Sequence, residues 1–100
     1  MGGSGMKLAG EELRKRAEQA PDWTLVDGIT LSKTFLFSDF KTALTFVNRV
    51  GALAEEQGHH PDIHLAWGRV DVTTSTHDAG GVTEKDFILA AKVDETFFSR

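Results

Sequence analysis

The sequence predicts a two-layer α+β domain, with a four-stranded antiparallel sheet and helices on one face. Apolar residues recur at helical spacing in three segments and alternate with polar residues in four short segments. These segments follow the order helix, two strands, helix, two strands, helix. A length of 100 residues accommodates one such domain. We expect residues 6–100 to form it, and we interpret residues 1–5, which precede a second methionine, as an expression leader.

The first three predicted elements are a surface helix and a hairpin. Residues 8–20 interleave charged side chains with a narrow apolar stripe, which is typical of a helix on the protein surface. Residues 23–26 and 29–37 flank Asp27-Gly28, a dipeptide favoured in tight turns. Because apolar and polar side chains alternate in the second of these segments, we expect one face of the hairpin to be buried.

The longest predicted helix spans residues 40–58, with Ser38 as the expected N-cap and Gly58 at its end. Phe46 and Gly51 lie off its predicted apolar stripe, and we expect them to be available for contact with another copy of the chain. The stripe itself comprises Phe40, Ala43, Leu44, Val47, Val50, Leu53 and Ala54.

The remaining elements are a second hairpin and a final helix. Residues 63–67 and 70–73 alternate in polarity around a turn near Gly68. The segment from Thr83 to Asp86 is typical of a capping box at a helix start. The predicted apolar stripe of the final helix comprises Phe87, Ile88, Ala91 and Val93.

Composition excludes several classes of function. The chain has no cysteine, which removes disulfides, thiolate zinc sites and cysteine nucleophiles. Its net charge of −4 disfavours binding through phosphate neutralisation, so we expect no direct nucleic-acid partner. No apolar run approaches the roughly 20 residues that span a bilayer, and no apolar signal core is present. We therefore expect no membrane association and a cytoplasmic location.

Histidines are the main candidates for chemistry. His59 and His60 directly follow the longest predicted helix, and His77 follows the last predicted strand. Imidazole exchanges protons near neutral pH because its unperturbed pKa is about 6.5, so this grouping suggests proton transfer. A purely structural alternative stays open, in which the pair caps helix carbonyls and His77 makes hydrogen bonds at a strand end.

A metal site is disfavoured by the sequence. His60 and His64 have the spacing of ligands on one helix face, but Pro61 disfavours helical geometry at His60. Because successive strand residues point to opposite faces, His64 lies on the face of the sheet away from Leu65, which we expect to be solvated. We therefore expect no metal.

Three carboxylates lie near the histidines in the sequence. Glu55 precedes His59 by four residues, Asp78 adjoins His77, and Asp86 completes the predicted capping box. Each carboxylate can orient an imidazole. Each also has a structural explanation, as a solvated helix residue, a turn cap or a helix cap respectively.

A combined pattern extends these observations: Glu55-x3-His59-His60-Pro61, Trp67-x2-Val70-x-Val72, Ser75-Thr76-His77 and Gly81-Val82-Thr83-x2-Asp86. In this order, with compatible gaps, the pattern resembles the pterin-4a-carbinolamine dehydratase family, also known as the dimerisation cofactor of a hepatocyte nuclear factor. The resemblance extends from about residue 23 to residue 97.

The resemblance implies dehydration of 4a-hydroxytetrahydrobiopterin to quinonoid dihydropterin during tetrahydrobiopterin recycling, without a cofactor. It implies that His59, His60 and His77 line the pterin site. His59 and His77 are the expected proton-transfer pair and His60 the expected orienting group, and these roles are interchangeable on the sequence alone. Supporting or substrate-binding roles are implied for Glu55, Pro61, Trp67, Thr76, Asp78 and Asp86.

The resemblance also implies partners. The family forms dimers through its sheet and tetramers through its helices, so we expect a homodimer or homotetramer. A pterin-dependent aromatic amino acid hydroxylase is the expected pathway partner. The alternative hypothesis is a non-catalytic, oligomeric interaction module that resembles a transcriptional coactivator.

Overall fold

The computed structural model describes residues 6–99, and the predicted leader lies outside them. The elements in chain order are α1 (Gly10–Glu18), β1 (Thr24–Val26), β2 (Thr30–Leu36), α2 (Phe40–Gln57), β3 (Asp62–Ala66), β4 (Arg69–Thr74) and α3 (Glu84–Phe98). A short 3-10 turn, His77–Ala79, separates β4 from α3. The predicted two-layer α+β fold is confirmed. None of the helices among residues 6–99 is both long and apolar enough to cross a membrane.

The four strands form one antiparallel sheet in the order β1-β2-β4-β3. On its inner face, Phe35 of β2 pairs with Val70 of β4, which pairs in turn with Leu65 of β3. Phe35 and Val70 are buried, and Leu65 packs against the same core. The next row on the opposite face is Thr34, Asp71 and His64, so polar side chains cover the side without helices.

Lys33 lies on the inner face of β2, where its charge is paired. Its Nζ lies 2.7 Å from Asp94 Oδ1 of α3, and the indole N–H of Trp23 donates to Asp94 Oδ2 at 3.0 Å. The Nζ also lies 4.8 Å from the centroid of the Phe35 ring. Because a partly buried charge is tolerated when it is paired, this group of contacts ties α3 to the sheet.

Helix α2 has the predicted span but a different N-cap. Asp39, rather than Ser38, accepts a hydrogen bond from the backbone N–H of Thr42 at 2.8 Å. Hydrogen bonds from the Thr42 side chain and from its backbone N–H hold the pKa of Asp39 below its usual value. At the other end, Gly58 adopts the left-handed conformation with φ of 65°, which glycine accepts without a steric penalty.

The buried face of α2 differs from the predicted stripe. Phe46 is 2% exposed and packs against the rings of Phe35 and Phe37, at centroid distances of 4.9 and 5.2 Å. The predicted core residues Phe40 and Leu44 are instead 44% and 40% exposed. The expectation that Phe46 contacts another chain is therefore wrong. Because successive helix residues are 100° apart, the apolar residues of α2 fit two overlapping stripes, the predicted one and one that contains Phe46. The ring of Phe46 fills the space above the sheet.

The apolar stripe of α3 is also shifted from its predicted position. Ile88 is 42% exposed and Ala91 is exposed, so both are wrongly predicted as core residues. The predicted capping box is present, and Asp86 within it is buried. The buried apolar residues of α3 are Phe87, Leu89, Ala90 and Val93.

Helix α1 covers one side of α3 without burying a residue of its own. The preceding Leu8 is buried, and its backbone N–H donates to the carbonyl of Val82 at 2.9 Å. Within α1, Arg16 Nε donates to Glu84 at 2.8 Å, and its guanidinium lies 5.0 Å from the centroid of the Phe87 ring. These contacts fix α1 against the start of α3.

Candidate active site

Two loops at one end of the β3–β4 hairpin bring the predicted histidines to the same end of the sheet. We call this region, which contains His59, His60 and His77, the histidine edge. His59 and His60 precede β3, whereas His77 follows β4. Asp62 and Thr73 pair across the hairpin close to these loops. Antiparallel pairing therefore places residues that are far apart in the sequence at a common edge.

The loop containing His59 is set by the end of α2. The left-handed turn at Gly58 reverses the chain, and the backbone N–H of His59 donates to the carbonyl of Ala54 at 3.1 Å. Pro61 then directs the chain out of helical geometry and into β3. This local geometry points the His59 imidazole toward the start of α3.

Asp86 is the carboxylate at the centre of the candidate site, and its side chain is 0% exposed. Its Oδ1 lies 2.6 Å from His59 Nε2 and accepts a hydrogen bond from Thr74 Oγ1 at 2.5 Å. Its Oδ2 accepts from Thr76 Oγ1 at 2.7 Å and from the backbone N–H of Thr83 at 2.9 Å. The same carboxylate thus caps α3 and contacts the His59 ring.

His60 and Glu55 form a second pair in a different environment. Glu55 Oε2 hydrogen-bonds His60 Nε2, whereas the sequence suggested Glu55 could orient either ring of the pair. The two side chains are 77% and 61% exposed, so solvent screens their attraction. This pair can orient a bound molecule, but it contributes little to folding.

His77 and Asp78 lie exposed in the 3-10 turn that follows β4. The preceding Thr76 pairs with Gly81 across the base of the turn, and its backbone N–H donates to the Gly81 carbonyl at 3.0 Å. Gly80 closes the turn in the left-handed conformation with φ of 77°. Since Thr76 also donates to Asp86, the loop that carries His77 is tied to the carboxylate that contacts His59.

Trp67 and His64 lie away from this edge. Trp67 is 67% exposed in the turn between β3 and β4, at the opposite end of the hairpin. At about 3.4 Å per residue, the strand separates the two ends by roughly 14 Å. His64 faces solvent on the open side of the sheet beside Asp71, whose pKa is held below its usual value mainly by the hydrogen bond from Thr34. The structure thus does not bring Trp67 to the histidines within one chain.

Thr74 and Thr83 are parts of the site that the sequence did not identify as such. Thr74 is 2% exposed and follows Val70 and Val72 on the inner face of β4. A hydroxyl that faces the core needs a buried acceptor. The alternation of Val70, Val72 and Thr74 on one face of the strand is the sequence signal that could have identified Thr74. Its acceptor, Asp86, is twelve residues away in the sequence, so the pairing depends on how α3 packs.

The described residues contain no group of three or more His, Asp or Glu side chains arranged to hold a metal ion. A groove of about 520 Å³ lies between α1 and α3, and Arg16, Phe87 and Ile88 are among its lining residues. None of the histidines lines this groove. We place the candidate chemistry at the histidine edge because the groove lacks a group suited to proton exchange near neutral pH.

The sequence matches known proteins over nearly all of its length. Residues 6–96 match the profile of the family described as pterin 4 alpha carbinolamine dehydratase. A protein of Rubrobacter xylanophilus is 56% identical over 87 residues, which cover 87% of this chain and 81% of the relative. A protein of Chloroflexus aggregans is 46% identical over 89 residues, which cover 89% and 95%. Both relatives carry the name pterin-4-alpha-carbinolamine dehydratase provisionally.

Solved structures share the fold. A transcriptional coactivator/pterin dehydratase from Brucella melitensis has a TM-score of 0.84 and 36% identity, and covers 90% of this chain and 97% of that one. A pterin dehydratase-like protein, described as a RuBisCO assembly factor in the alpha-carboxysome, has a TM-score of 0.58 and 31% identity over 67% of this chain and 77% of that one. The profile match and the identities over most of the chain lead to one conclusion: the chain belongs to the pterin 4 alpha carbinolamine dehydratase family.

Proposed function

We propose that this chain catalyses the dehydration of a 4a-hydroxytetrahydropterin, with 4a-hydroxytetrahydrobiopterin as the expected substrate, to the quinonoid dihydropterin. One observation carries the proposal. The buried Asp86 carboxylate contacts His59 directly and holds the His77 loop through Thr76. Membership of the family supports a pterin carbinolamine as the substrate class.

The chemistry of the reaction matches the histidine edge. The bond between C4a and the hydroxyl oxygen breaks, the N5 proton leaves, and a double bond forms between C4a and N5. The leaving oxygen takes a proton from an acid while a base accepts the N5 proton, so one water is released and the proton count balances. Imidazole serves as either group near neutral pH.

The surroundings of each histidine suggest its role. Asp86 stabilises the imidazolium that forms when His59 accepts a proton, because a buried carboxylate interacts strongly with a neighbouring cation. His77 is exposed and has no carboxylate partner among residues 6–99. This environment suits proton exchange with the other side of the substrate. His60, paired with Glu55, orients the pterin. Pro61 and Asp78 flank these groups in the two loops.

The direct test measures carbinolamine decay. A pterin-dependent aromatic amino acid hydroxylase generates the carbinolamine, and stopped-flow ultraviolet absorbance follows its conversion with and without the chain. We expect acceleration by the wild-type chain, and a loss of roughly 10²–10⁴-fold in His59→Ala or His77→Ala, the usual contribution of a general acid or base.

A matched control is His64→Ala, because His64 lies on the open face of the sheet and away from the other histidines. We expect this variant to retain wild-type acceleration. Absence of acceleration by the wild-type chain would refute the proposed enzyme. An equal loss in the control would show that histidine removal acts through the fold rather than through the site.

A second candidate function is a non-catalytic interaction module. The two solved structures described above motivate it, since one is described as a coactivator as well as a dehydratase and the other as an assembly factor. The test is binding of a co-expressed helical partner by the double variant His59→Ala/His77→Ala. Binding that survives this change, together with no dehydration by the wild-type chain, favours the module.

Self-association is part of both candidates. The sheet order leaves one side of β1 and one side of β3 without a neighbouring strand among the described residues, and pairing such edges across a two-fold axis satisfies their backbone groups. We therefore propose a homodimer or homotetramer, and light scattering at several concentrations tests it. A concentration-independent monomer refutes it. The hydroxylase partner, the cytoplasmic location and the absence of a nucleic-acid partner stay predictions.

A further inference from the structure

The Asp86 carboxylate has two hydrogen-bond partners on each oxygen, and their protons can be assigned. The backbone N–H of Thr83 is a donor and nothing else, and it points at Oδ2. The backbone N–H of Lys85 donates to Thr83 Oγ1 at 3.2 Å, which leaves the Thr83 hydroxyl proton available to Thr76 Oγ1 at 2.9 Å. The Thr76 hydroxyl proton is then directed to Asp86 Oδ2.

Thr74 completes the same arrangement on the other oxygen. Its hydroxyl donates to Oδ1 at 2.5 Å, and Asp86 is the hydrogen-bond partner of its side chain within residues 6–99. Three protons from the protein therefore point at Asp86. The ionised carboxylate accepts all three and keeps one acceptor site on Oδ1 for the His59 contact, and imidazole is ordinarily the more basic group of such a pair.

An acceptor-only Asp86 fixes the proton on the His59 ring. Nε2 lies 2.6 Å from Oδ1, so it must carry the hydrogen of that contact whether the imidazole is neutral or charged. The other ring nitrogen, Nδ1, has no hydrogen-bond partner among residues 6–99. Because no buried side-chain nitrogen or oxygen in this part of the chain lacks a partner, Nδ1 is accessible to solvent.

We propose that His59 exchanges protons with its substrate through Nδ1, and that Thr74 is a positioning residue that acts through Asp86 to hold this tautomer. The catalytic part of the inference rests on the proposed function. The tautomer itself is a property of the folded chain and is measured without substrate. Failure of the dehydration assay and failure of the tautomer assignment are therefore separate results.

The test is nitrogen-15 NMR of histidine-labelled protein near pH 8.5, about two pH units above the ordinary histidine pKa. Correlation of the ring carbon-bound protons with both ring nitrogens distinguishes a protonated nitrogen from an unprotonated one. We expect His59 to carry its proton on Nε2 in the wild-type chain. A neutral ring with its proton on Nδ1 and an unprotonated Nε2 overturns the proposal.

Asp86→Asn gives the opposite tautomer if the assignment is correct. Thr83 N–H and the Thr76 hydroxyl select the amide oxygen at the Oδ2 position, so the amide nitrogen takes the Oδ1 position. That nitrogen donates to His59 Nε2, which must then be unprotonated. We expect the proton on Nδ1 in this variant, and an unchanged Nε2–H tautomer overturns the role of Asp86.

Thr74→Val removes the hydroxyl while keeping the shape of the side chain. We expect the His59 Nε2 proton to exchange with solvent about five- to tenfold faster, because Asp86 loses one of the hydrogen bonds that hold its carboxylate in place. A change of this size corresponds to about one hydrogen bond. Thr74→Ser keeps the donor and should restore the wild-type rate. Thr73→Val, which changes the neighbouring residue on the opposite face of β4, is the matched control.

Wild-type exchange in Thr74→Val overturns the positioning role of Thr74. If that variant does not fold, the wild-type tautomer and the Thr74→Ser variant still test the assignment. The same variants connect the inference to turnover: we expect Thr74→Val to lower kcat more than it changes KM, with recovery in Thr74→Ser. A loss confined to KM contradicts a positioning role.

Discussion

Replacing Asp86 with alanine should destabilise the fold strongly, because this residue is both the cap of α3 and the acceptor at the centre of the candidate site. Its removal leaves the Thr74 hydroxyl and the Thr83 N–H, which belong to residues 2% and 0% exposed, without their acceptor. Each buried unsatisfied group costs about 1–3 kcal/mol, and removing one partner of a buried charged pair costs about 3–5 kcal/mol. We expect Asp86→Ala to lower the free energy of unfolding by about 3–5 kcal/mol.

Urea unfolding monitored by circular dichroism measures this change. With a dependence of about 1–3 kcal/mol per molar urea, the midpoint should fall by roughly 1–5 M. Asp78→Ala is the matched control, because Asp78 is exposed in the neighbouring turn, and it should change stability by less than about 0.5 kcal/mol. A loss below about 1 kcal/mol in Asp86→Ala would refute the inference that the carboxylate organises both the helix cap and the histidine edge.

Three further predictions concern the rest of the fold. Phe46→Ala should lower the free energy of unfolding by about 3–5 kcal/mol in a urea titration, because its ring is buried. Leu44→Ala on the same helix should lower it far less, since Leu44 is 40% exposed. Equal losses in the two variants contradict the packing described above. Gly58→Ala should cost about 1–2 kcal/mol because its φ is 65°, and stopped-flow assays should show slower dehydration as His59 is displaced. Thr34→Val removes the bond that lowers the pKa of Asp71, so its destabilising effect should be complete at neutral pH and should vanish as the pH falls through the folded-state pKa of Asp71. Unfolding measured between pH 7 and pH 2 checks this direction, and an effect that grows in acid contradicts it.

The order and type of the elements could be predicted because each depends on local pattern. Alternation of Leu31 and Phe35 with polar residues identifies β2, and the left-handed Gly58 marks the end of α2. The capping box at Thr83 and Asp86 was also predicted, since its two partners are three residues apart. Such features involve contacts within one turn or one strand, and a short stretch of sequence contains both partners.

The faces of the helices were less predictable. The sequence predicts that Phe46 lies off the buried stripe of α2 and that Ile88 lies in the core, and the structure reverses both predictions. Apolar residues around α2 and α3 fit more than one stripe at helical spacing. Which stripe is buried depends on the rotation of each helix above the sheet, and the sequence of the helix alone does not contain that rotation.

The sequence predicts histidines at element ends, in a pattern that resembles one enzyme family, and a four-stranded sheet with helices. The contact between Asp86 and His59, the pairing of Glu55 with His60 and the buried donor of Thr74 become visible in the folded chain. The difference lies in how far apart the interacting residues are. Element type follows from neighbours within a few residues, whereas a hydrogen bond between residues 59 and 86 exists only after α2, β4 and α3 have packed together.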